Sequence, residues 1–129
     1  MPNDKVDLPL SFEDAVLAQE EALRHGGGSS GILNRSAIEG ALARPFHGYH
    51  DTVAVQAAAL YHGLANAHGF VDANKRSAWL LMLLFLDRSG YRLDSLAGDR
   101  IDDVAVDVVT GDMSEAEFLD WLRERLVKG

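Results

Sequence analysis

Cysteine is missing from this 129-residue chain, and its basic residues are outnumbered by acidic ones. Without cysteine the fold contains no disulfides, and neither a thiolate nucleophile nor a thiolate metal ligand is available. The 12 lysines and arginines against 20 aspartates and glutamates give a net charge of −8. Proteins that bind nucleic acid through its phosphates usually carry a basic face, so we expect no direct contact with DNA or RNA.

Long hydrophobic segments are lacking as well. The longest apolar run, residues 78–86, has nine residues, whereas roughly 20 are needed to cross a bilayer. The opening residues Met-Pro-Asn-Asp-Lys lack the basic and apolar pattern of a secretory leader. We therefore expect a cytoplasmic protein without a membrane partner. Residues 1–129 are expected to form one domain, because that length suffices to bury a core.

Helical periodicity runs through almost the whole chain. Apolar residues three or four positions apart predict helices over residues 12–25, 35–43, 53–67, 74–87, 100–110 and 115–126. The fourth is apolar all round, so it should lie at the centre of the others. Asp99 is expected to cap the fifth helix, and Ser114 with Glu117 to form a capping box on the sixth. The predicted fold is an all-α, compact bundle of six helices.

Three details complete this prediction. The inner face of the first helix comprises Phe12, Ala15, Val16, Gln19, Ala22 and Leu23. Residues 26–31, Gly-Gly-Gly-Ser-Ser-Gly, are interpreted as a flexible surface loop, and they lack the Gly-Lys-Ser/Thr ending of a phosphate-binding loop. Tyr91, Arg92 and Leu93 hint at extended structure, but they are too short to form a sheet of their own.

A polar loop over residues 68–73 joins the third and fourth predicted helices. The first N–H groups of a helix have no partner inside it, and the helix dipole favours an anion at that end. Asn74 can donate from its amide, while Lys75 and Arg76 add two cations there. Since cations oppose the dipole at this end, the pattern is more reasonable if an anion binds between them.

The same loop carries a carboxylate and a histidine. Asp72 offers a hard oxygen ligand that suits Mg²⁺ shared with nucleotide phosphates, and His68 can accept a proton from an attacking hydroxyl. Structural interpretations stay open at this point. His68 can cap a helix dipole, Asp72 can be the N-cap of the fourth helix, and Lys75 and Arg76 can be solvated charges. Phe70 is expected to be an apolar anchor of the loop.

Residues 68–76 resemble the signature of Fic-domain proteins, His-x-Phe-x-Asp/Glu-Ala/Gly-Asn-Gly/Lys-Arg, in which the motif joins two core helices. Fic enzymes that transfer AMP typically have glycine in place of Lys75 and a second arginine where this chain has Trp79. The Ala-Asn-Lys-Arg form is similar to the Doc (death-on-curing) branch. The resemblance extends over nearly the whole chain and implies a six-helix Fic fold without a self-inhibitory helix.

The resemblance implies the toxin of a toxin–antitoxin pair. Such an enzyme would transfer the γ-phosphate of ATP, with Mg²⁺, to a threonine or serine hydroxyl of a translation factor, elongation factor Tu, and so arrest protein synthesis. A Phd-like antitoxin would inhibit it by placing its C-terminal helix in a groove. The implied catalytic residues are His68 as the base, Asp72 as the Mg²⁺ ligand, and Arg76. The implied nucleotide-binding residues are Asn74, Lys75, Arg76 and, from its position at the end of the first helix, Arg24.

Two other classes of function stay open. A Fic enzyme that transfers AMP or another nucleotide to a protein hydroxyl is disfavoured by Lys75 and Trp79. A non-catalytic binding module that kept the fold is disfavoured by the complete set from His68 to Arg76, because a scaffold needs only Phe70 and the apolar faces. For Arg24, capping of the helix dipole is an alternative to nucleotide binding.

Overall fold

The computed structural model describes residues 5–47 and 50–129. The expectation about a secretory leader concerns residues 1–5, and residues 1–4 lie outside these ranges. Over the described residues the all-α prediction is confirmed, with a short 3-10 turn at Arg44–Phe46. The six helices are α1 (Phe12–Gly26), α2 (Arg35–Ala43), α3 (Val53–Ala67), α4 (Asn74–Arg88), α5 (Ile101–Thr110) and α6 (Glu115–Arg125).

Helices α3 and α4 form the centre of the molecule. The alanine-rich α3 packs against α2, α4, α5 and α6, and small side chains let these neighbours approach closely. The expectation that the fourth helix is enclosed on all sides holds for one face only. Trp79, Leu80 and Leu83 stay half-buried, because α5 packs on α3 rather than on α4. No helix within the described ranges is long and apolar enough to cross a membrane.

Side chains cap four of the six helices described. Their N-cap residues are Ser11, Asn34, Thr52 and Ser114, and the two serines form capping boxes with Asp14 and Glu117. The predicted capping box at the start of α6 is therefore confirmed. Each such cap satisfies backbone N–H groups that the helix itself leaves without acceptors.

The predicted cap of α5 is wrong. Arg100 occupies the N-cap position and makes no capping hydrogen bond. The Asp99 carboxylate instead accepts hydrogen bonds from the Leu96 N–H at 2.7 Å and from the Arg125 guanidinium at 2.6 and 2.7 Å. Arg125 binds Asp99 side-on and bidentately, through Nε and one terminal nitrogen, and such pairs hold a carboxylate better than one backbone N–H does. The Arg125 guanidinium accordingly lowers the pKa of Asp99.

The extended residues after α4 find a partner at the end of the chain. Strand β1 (Tyr91–Leu93) pairs in antiparallel fashion with β2 (Leu126–Lys128), so that Tyr91 faces Lys128 and Leu93 faces Leu126. The predicted extension of the sixth helix to Leu126 is thus wrong, since α6 ends at Arg125. The local sequence signals an extended segment, but the pairing joins residues more than 30 positions apart.

Candidate active site

Two residues in the left-handed region bracket the α3–α4 loop (residues 68–73). His68 has φ 49° and ψ 40°, and Ala73 has φ 64° and ψ 31°. Among the residues that the structure describes, no other non-glycine residue has a positive φ. Such conformations cost about 1–3 kcal/mol each and persist only where the surroundings hold them. Strain concentrated at both ends of one loop points to a functional role for that loop.

The core and one amide side chain hold this loop in place. Phe70 is 2% exposed, as predicted for an anchor. The Asn74 side chain donates from Nδ2 to the Phe70 carbonyl and accepts the Phe70 N–H on Oδ1, both at 3.0 Å. Asn74 therefore closes the loop on itself, and one of its two amide hydrogens is already engaged.

Gly69 lets the loop lie against α2. Its carbonyl accepts hydrogen bonds from the N–H groups of Leu33 and Asn34 at 2.8 and 3.0 Å. A Cβ atom at this position would collide with the side chain of Ile38, which is completely buried. The approach of backbone to core at this point thus requires glycine.

The N-terminus of α4 opens into a cavity of about 270 Å³. No side chain of the described residues caps this helix, because Ala73 at the N-cap position has no polar side-chain atom. The cavity brings together five of the six predicted site residues: His68, Asp72, Asn74, Lys75 and Arg76. Open N–H groups beside two cations make an anion-binding end of the kind expected from the sequence.

Asp72 points its carboxylate at the glycine-rich segment rather than at α4. The Ser29 N–H donates to Asp72 Oδ2 at 2.8 Å, and the interpretation of Asp72 as the N-cap of α4 is wrong. Oδ1 receives no hydrogen bond from the described residues. A half-buried carboxylate with one oxygen held and one open fits Mg²⁺, which usually binds one or two carboxylates together with substrate phosphates.

Arg76 reaches back to the end of α1. Its guanidinium donates to the carbonyls of Ala22 at 2.7 Å and Gly27 at 3.0 Å. These carbonyls lie at the C-terminal end of α1, where the helix dipole favours a cation. A side chain at Gly26 would collide with this guanidinium. Arg76 is thus a positioned charge at the rim of the cavity and not simply a solvated one.

Lys75 and Arg24 differ in their surroundings. Lys75 is exposed, lines the cavity and forms no ion pair with any residue of the described ranges. Arg24 instead donates from Nε to Glu21 at 2.9 Å on its own helix and does not line the cavity. The structure therefore gathers the motif residues and leaves Arg24 apart from them.

The glycine-rich segment (residues 26–31) is a loop at the surface after the end of α1, as predicted, although Gly31 is half-buried and hydrogen bonds tie the segment to α1 and to the α3–α4 loop. Ser29 contacts Asp72, and the side chain of Gln19 is hydrogen-bonded to Gly31 and to the backbone of Asp72. The sequence did not predict that Gln19 contacts the backbone of a site residue. The available signal was its position as a polar residue on the apolar face of the first helix.

A second, larger cavity of about 480 Å³ adjoins the first. It lies between α1, α4 and α5, and Lys75 and Arg76 line both cavities. Its walls are mainly apolar and include Trp79, Leu80, Ile101, Ala105 and Val106. We call this space the α4–α5 groove. It results from the packing of α5 on α3, which leaves one face of α4 uncovered.

Comparison with known proteins identifies one family. The family model described as Fic/DOC family matches residues 9–86, which include the whole α3–α4 loop. A curated relative, Toxin Doc of Mycolicibacterium smegmatis, is 33% identical over 109 residues. That alignment covers 80% of this chain and 82% of the relative.

Proposed function

The chain belongs to the Fic/DOC family, and from that premise we propose that it is the toxin of a toxin–antitoxin pair and acts as a protein-modifying transferase. The observation that carries the proposal is the uncapped N-terminus of α4, where His68, Asp72 and two cations line one cavity. The relative named Toxin Doc supports the toxin assignment, because the alignment covers about the same large share of both chains.

The phosphates of a nucleotide would bind at the start of α4. The N–H groups of the first turn point along the helix dipole, and Lys75 adds a flexible cation without a carboxylate partner among the described residues. Arg76 would add a second charge from a fixed position, because two carbonyls of the α1 end hold its guanidinium. Fixed charges stabilise a transition state without reorganising during the reaction.

His68 would be the general base toward a protein hydroxyl. In phosphate transfer from ATP, the hydroxyl oxygen would form the new bond to the γ-phosphorus while the bond to the β,γ-bridging oxygen breaks. ADP would leave with that oxygen, and the hydroxyl proton would pass to His68. The held backbone at His68 (φ 49°) fixes the direction from which the imidazole approaches.

Asp72 would hold Mg²⁺ through the oxygen that Ser29 leaves open. The ion would neutralise phosphate charge as the bond to the leaving group breaks. With a single carboxylate at the site, most ligands of the ion would come from phosphate oxygens and water, which is the usual arrangement for Mg²⁺ with nucleotides.

Transfer of a phosphate is proposed over transfer of AMP because of Lys75. A lysine fills space and adds charge where glycine would leave room for the α- and β-phosphates, so the nucleotide would bind in another orientation. Trp79 lies one helical turn after Arg76, and it contributes to the α4–α5 groove rather than a second positive charge. By the resemblance to Doc proteins, the proposed acceptor is a threonine or serine of elongation factor Tu.

The α4–α5 groove is the proposed docking surface for a Phd-like antitoxin. A helical segment with one apolar face would fit between Leu80 and Ala105. Lys75 and Arg76 line the groove on α4, whereas Asp102 lines it on α5, so we expect the segment to carry acidic side chains toward the start of α4. Since Lys75 and Arg76 also line the nucleotide cavity, an antitoxin bound there would block the phosphates.

The test is intact-mass spectrometry of elongation factor Tu after incubation with the protein, ATP and Mg²⁺. We expect the acceptor to gain one phosphate, and a His68→Ala variant to lose at least about 10²-fold of the rate because the base is gone. The variant should keep its melting temperature, since His68 is exposed.

Each other outcome has a definite meaning. A gain of a whole AMP would replace phosphate transfer by nucleotide transfer and show that Lys75 does not set the orientation. Full activity in His68→Ala would contradict the assigned base. The absence of any modification of this acceptor would reject elongation factor Tu as the target.

A further inference from the structure

One buried side chain on α1 ties the glycine-rich segment to the α3–α4 loop. Gln19 is 3% exposed. Its Nε2 donates to the carbonyl of Gly31 at 3.1 Å and to the carbonyl of Asp72 at 3.2 Å, and its Oε1 accepts the Gly31 N–H at 3.3 Å. A single amide group thus contacts the main chain of both segments, which the Val71 N–H also joins by donating to the Gly31 carbonyl at 3.0 Å.

The second connection runs through the carboxylate itself. Ser29, two residues before Gly31, donates its N–H to Asp72 Oδ2 at 2.8 Å. Gly28, with φ +114°, makes the bend that brings this N–H to Asp72, and a Cβ atom there would lie 3.1 Å from the Asp72 Cβ. The backbone and the side chain of Asp72 are therefore held by two connected contacts that both depend on α1.

We propose that Gln19 is a positioning residue that fixes the Asp72 carboxylate in the orientation in which it ligates a divalent cation. Gln19 lines neither cavity and acts only through Asp72 and the glycine-rich segment. The inference rests on the proposed function in one respect, since the cation is Mg²⁺ delivered with a nucleotide. Groups that orient a metal ligand in this way typically change metal affinity by 10- to 100-fold when they are removed.

A purely structural role for Gln19 is the competing explanation, and the chain provides a matched control for it. Gln56 on α3 is completely buried and makes the same three-bond pattern. It accepts the Val6 N–H at 3.0 Å and donates to the carbonyls of Val6 at 2.8 Å and Pro45 at 3.3 Å. Its contacts hold the N-terminal segment, so it shares the stabilising role of Gln19 without any contact to Asp72.

The experiment compares Gln19→Met with Gln56→Met, because methionine keeps the length of the side chain and removes the amide. ATP binding is measured by calorimetry in EDTA and then as a function of Mg²⁺ concentration. For Gln19→Met we expect the Mg²⁺ midpoint to rise about 10-fold, with ATP affinity in EDTA unchanged. For Gln56→Met we expect an unchanged midpoint, although both variants melt at a lower temperature.

A double variant shows whether Gln19 acts through Asp72. In the Asp72→Asn background, Gln19→Met should cause no further rise of the Mg²⁺ midpoint. A full additional rise in that background, or a wild-type midpoint in Gln19→Met alone, would overturn the proposal.

Hydrogen exchange of the Ser29 amide separates this inference from the proposed function, because it needs no nucleotide. We expect faster exchange in Gln19→Met and in Asp72→Ala, and wild-type exchange in Gln56→Met. If the wild-type protein bound no ATP, the proposed function would fail while the exchange data still decided whether Gln19 positions Asp72. Unchanged exchange in Gln19→Met would contradict the positioning role.

Discussion

The N-termini of α4 and α6 are built in opposite ways. Helix α6 begins with the Ser114–Glu117 capping box and carries Glu115 in its first turn. Helix α4 begins after Ala73 in the left-handed region, without a side-chain cap and without an acidic residue in its first turn. Among the helices described, α4 alone combines both features, since α5 also lacks a side-chain cap but has two aspartates in its first turn.

We interpret this difference as that between a structural helix end at α6 and the proposed ligand-binding end at α4. At α6 the chain itself supplies the oxygen atoms and the negative charge that a helix N-terminus requires. At α4 it supplies cations instead, and in the proposed function the free N–H groups and Lys75 bind the phosphates of a nucleotide. Departures from local stability rules of this kind are expected where a protein binds its ligand.

The largest predicted effect comes from giving α4 the charge that α6 already has. Lys75→Glu should lower the transfer rate by at least about 10²-fold, because a carboxylate would occupy the phosphate position. The same change should raise the free energy of unfolding by about 0.3–1 kcal/mol, since an acidic side chain at this end suits the helix dipole. Transfer assays and denaturant unfolding of the same preparation measure the two effects.

The matched control places a cation at the equivalent second position of α6. Ala116→Lys should slightly lower stability and leave transfer unchanged, because Ala116 is exposed and lines neither cavity. If Lys75→Glu kept full activity, or if Ala116→Lys lost as much activity as Lys75→Glu, the contrast between the two helix ends would have no functional meaning.

The smaller effect concerns the cap of α6. Ser114→Ala removes the hydroxyl that accepts the Glu117 N–H at 3.1 Å, so we expect a loss of about 1 kcal/mol in the free energy of unfolding. The transfer rate should not change, because Ser114 and Glu117 line neither cavity. Urea unfolding gives the first quantity, and a wild-type unfolding midpoint would show that the cap does not stabilise the helix.

Much of this fold could be predicted from local sequence. Amphipathic spacing and the Ser114–Glu117 pair act within a few residues, and those predictions are confirmed. The motif residues also lie within one stretch of nine, so finding them required no knowledge of the tertiary structure. These side chains line one cavity because the motif forms the turn between two buried helices, and the helical periodicity on either side of the motif predicts that turn.

The errors arise where distant parts of the chain compete with local ones. Asp99 has the spacing of an N-cap, but Arg125, which lies 26 residues later, takes its carboxylate. The composition of the glycine-rich segment predicts a surface loop, but it does not predict the hydrogen bond from Ser29 to Asp72 over a separation of 43 residues. Periodicity and composition carry no information about such pairs.

The candidate site shows the same limit. The resemblance to the Fic signature implies that Asn74 and Arg76 bind a nucleotide, but the structure adds contacts that the motif does not reveal. Arg76 spans 54 residues to reach the Ala22 carbonyl, and Asn74 bonds the backbone of Phe70. Both side chains therefore have a role in shaping the site in addition to the one assigned to them from the sequence.

The most direct test of the central claim is an NMR titration of the ¹⁵N-labelled protein with ATP and Mg²⁺. We expect saturable shifts of the amide signals of Asn74, Lys75 and Arg76, whose N–H groups form the first turn of α4. The corresponding amides of α6, from Glu115 to Glu117, should not move. Shifts that are absent at α4, or equally large at the start of α6, would contradict the account of α4 as the phosphate-binding end.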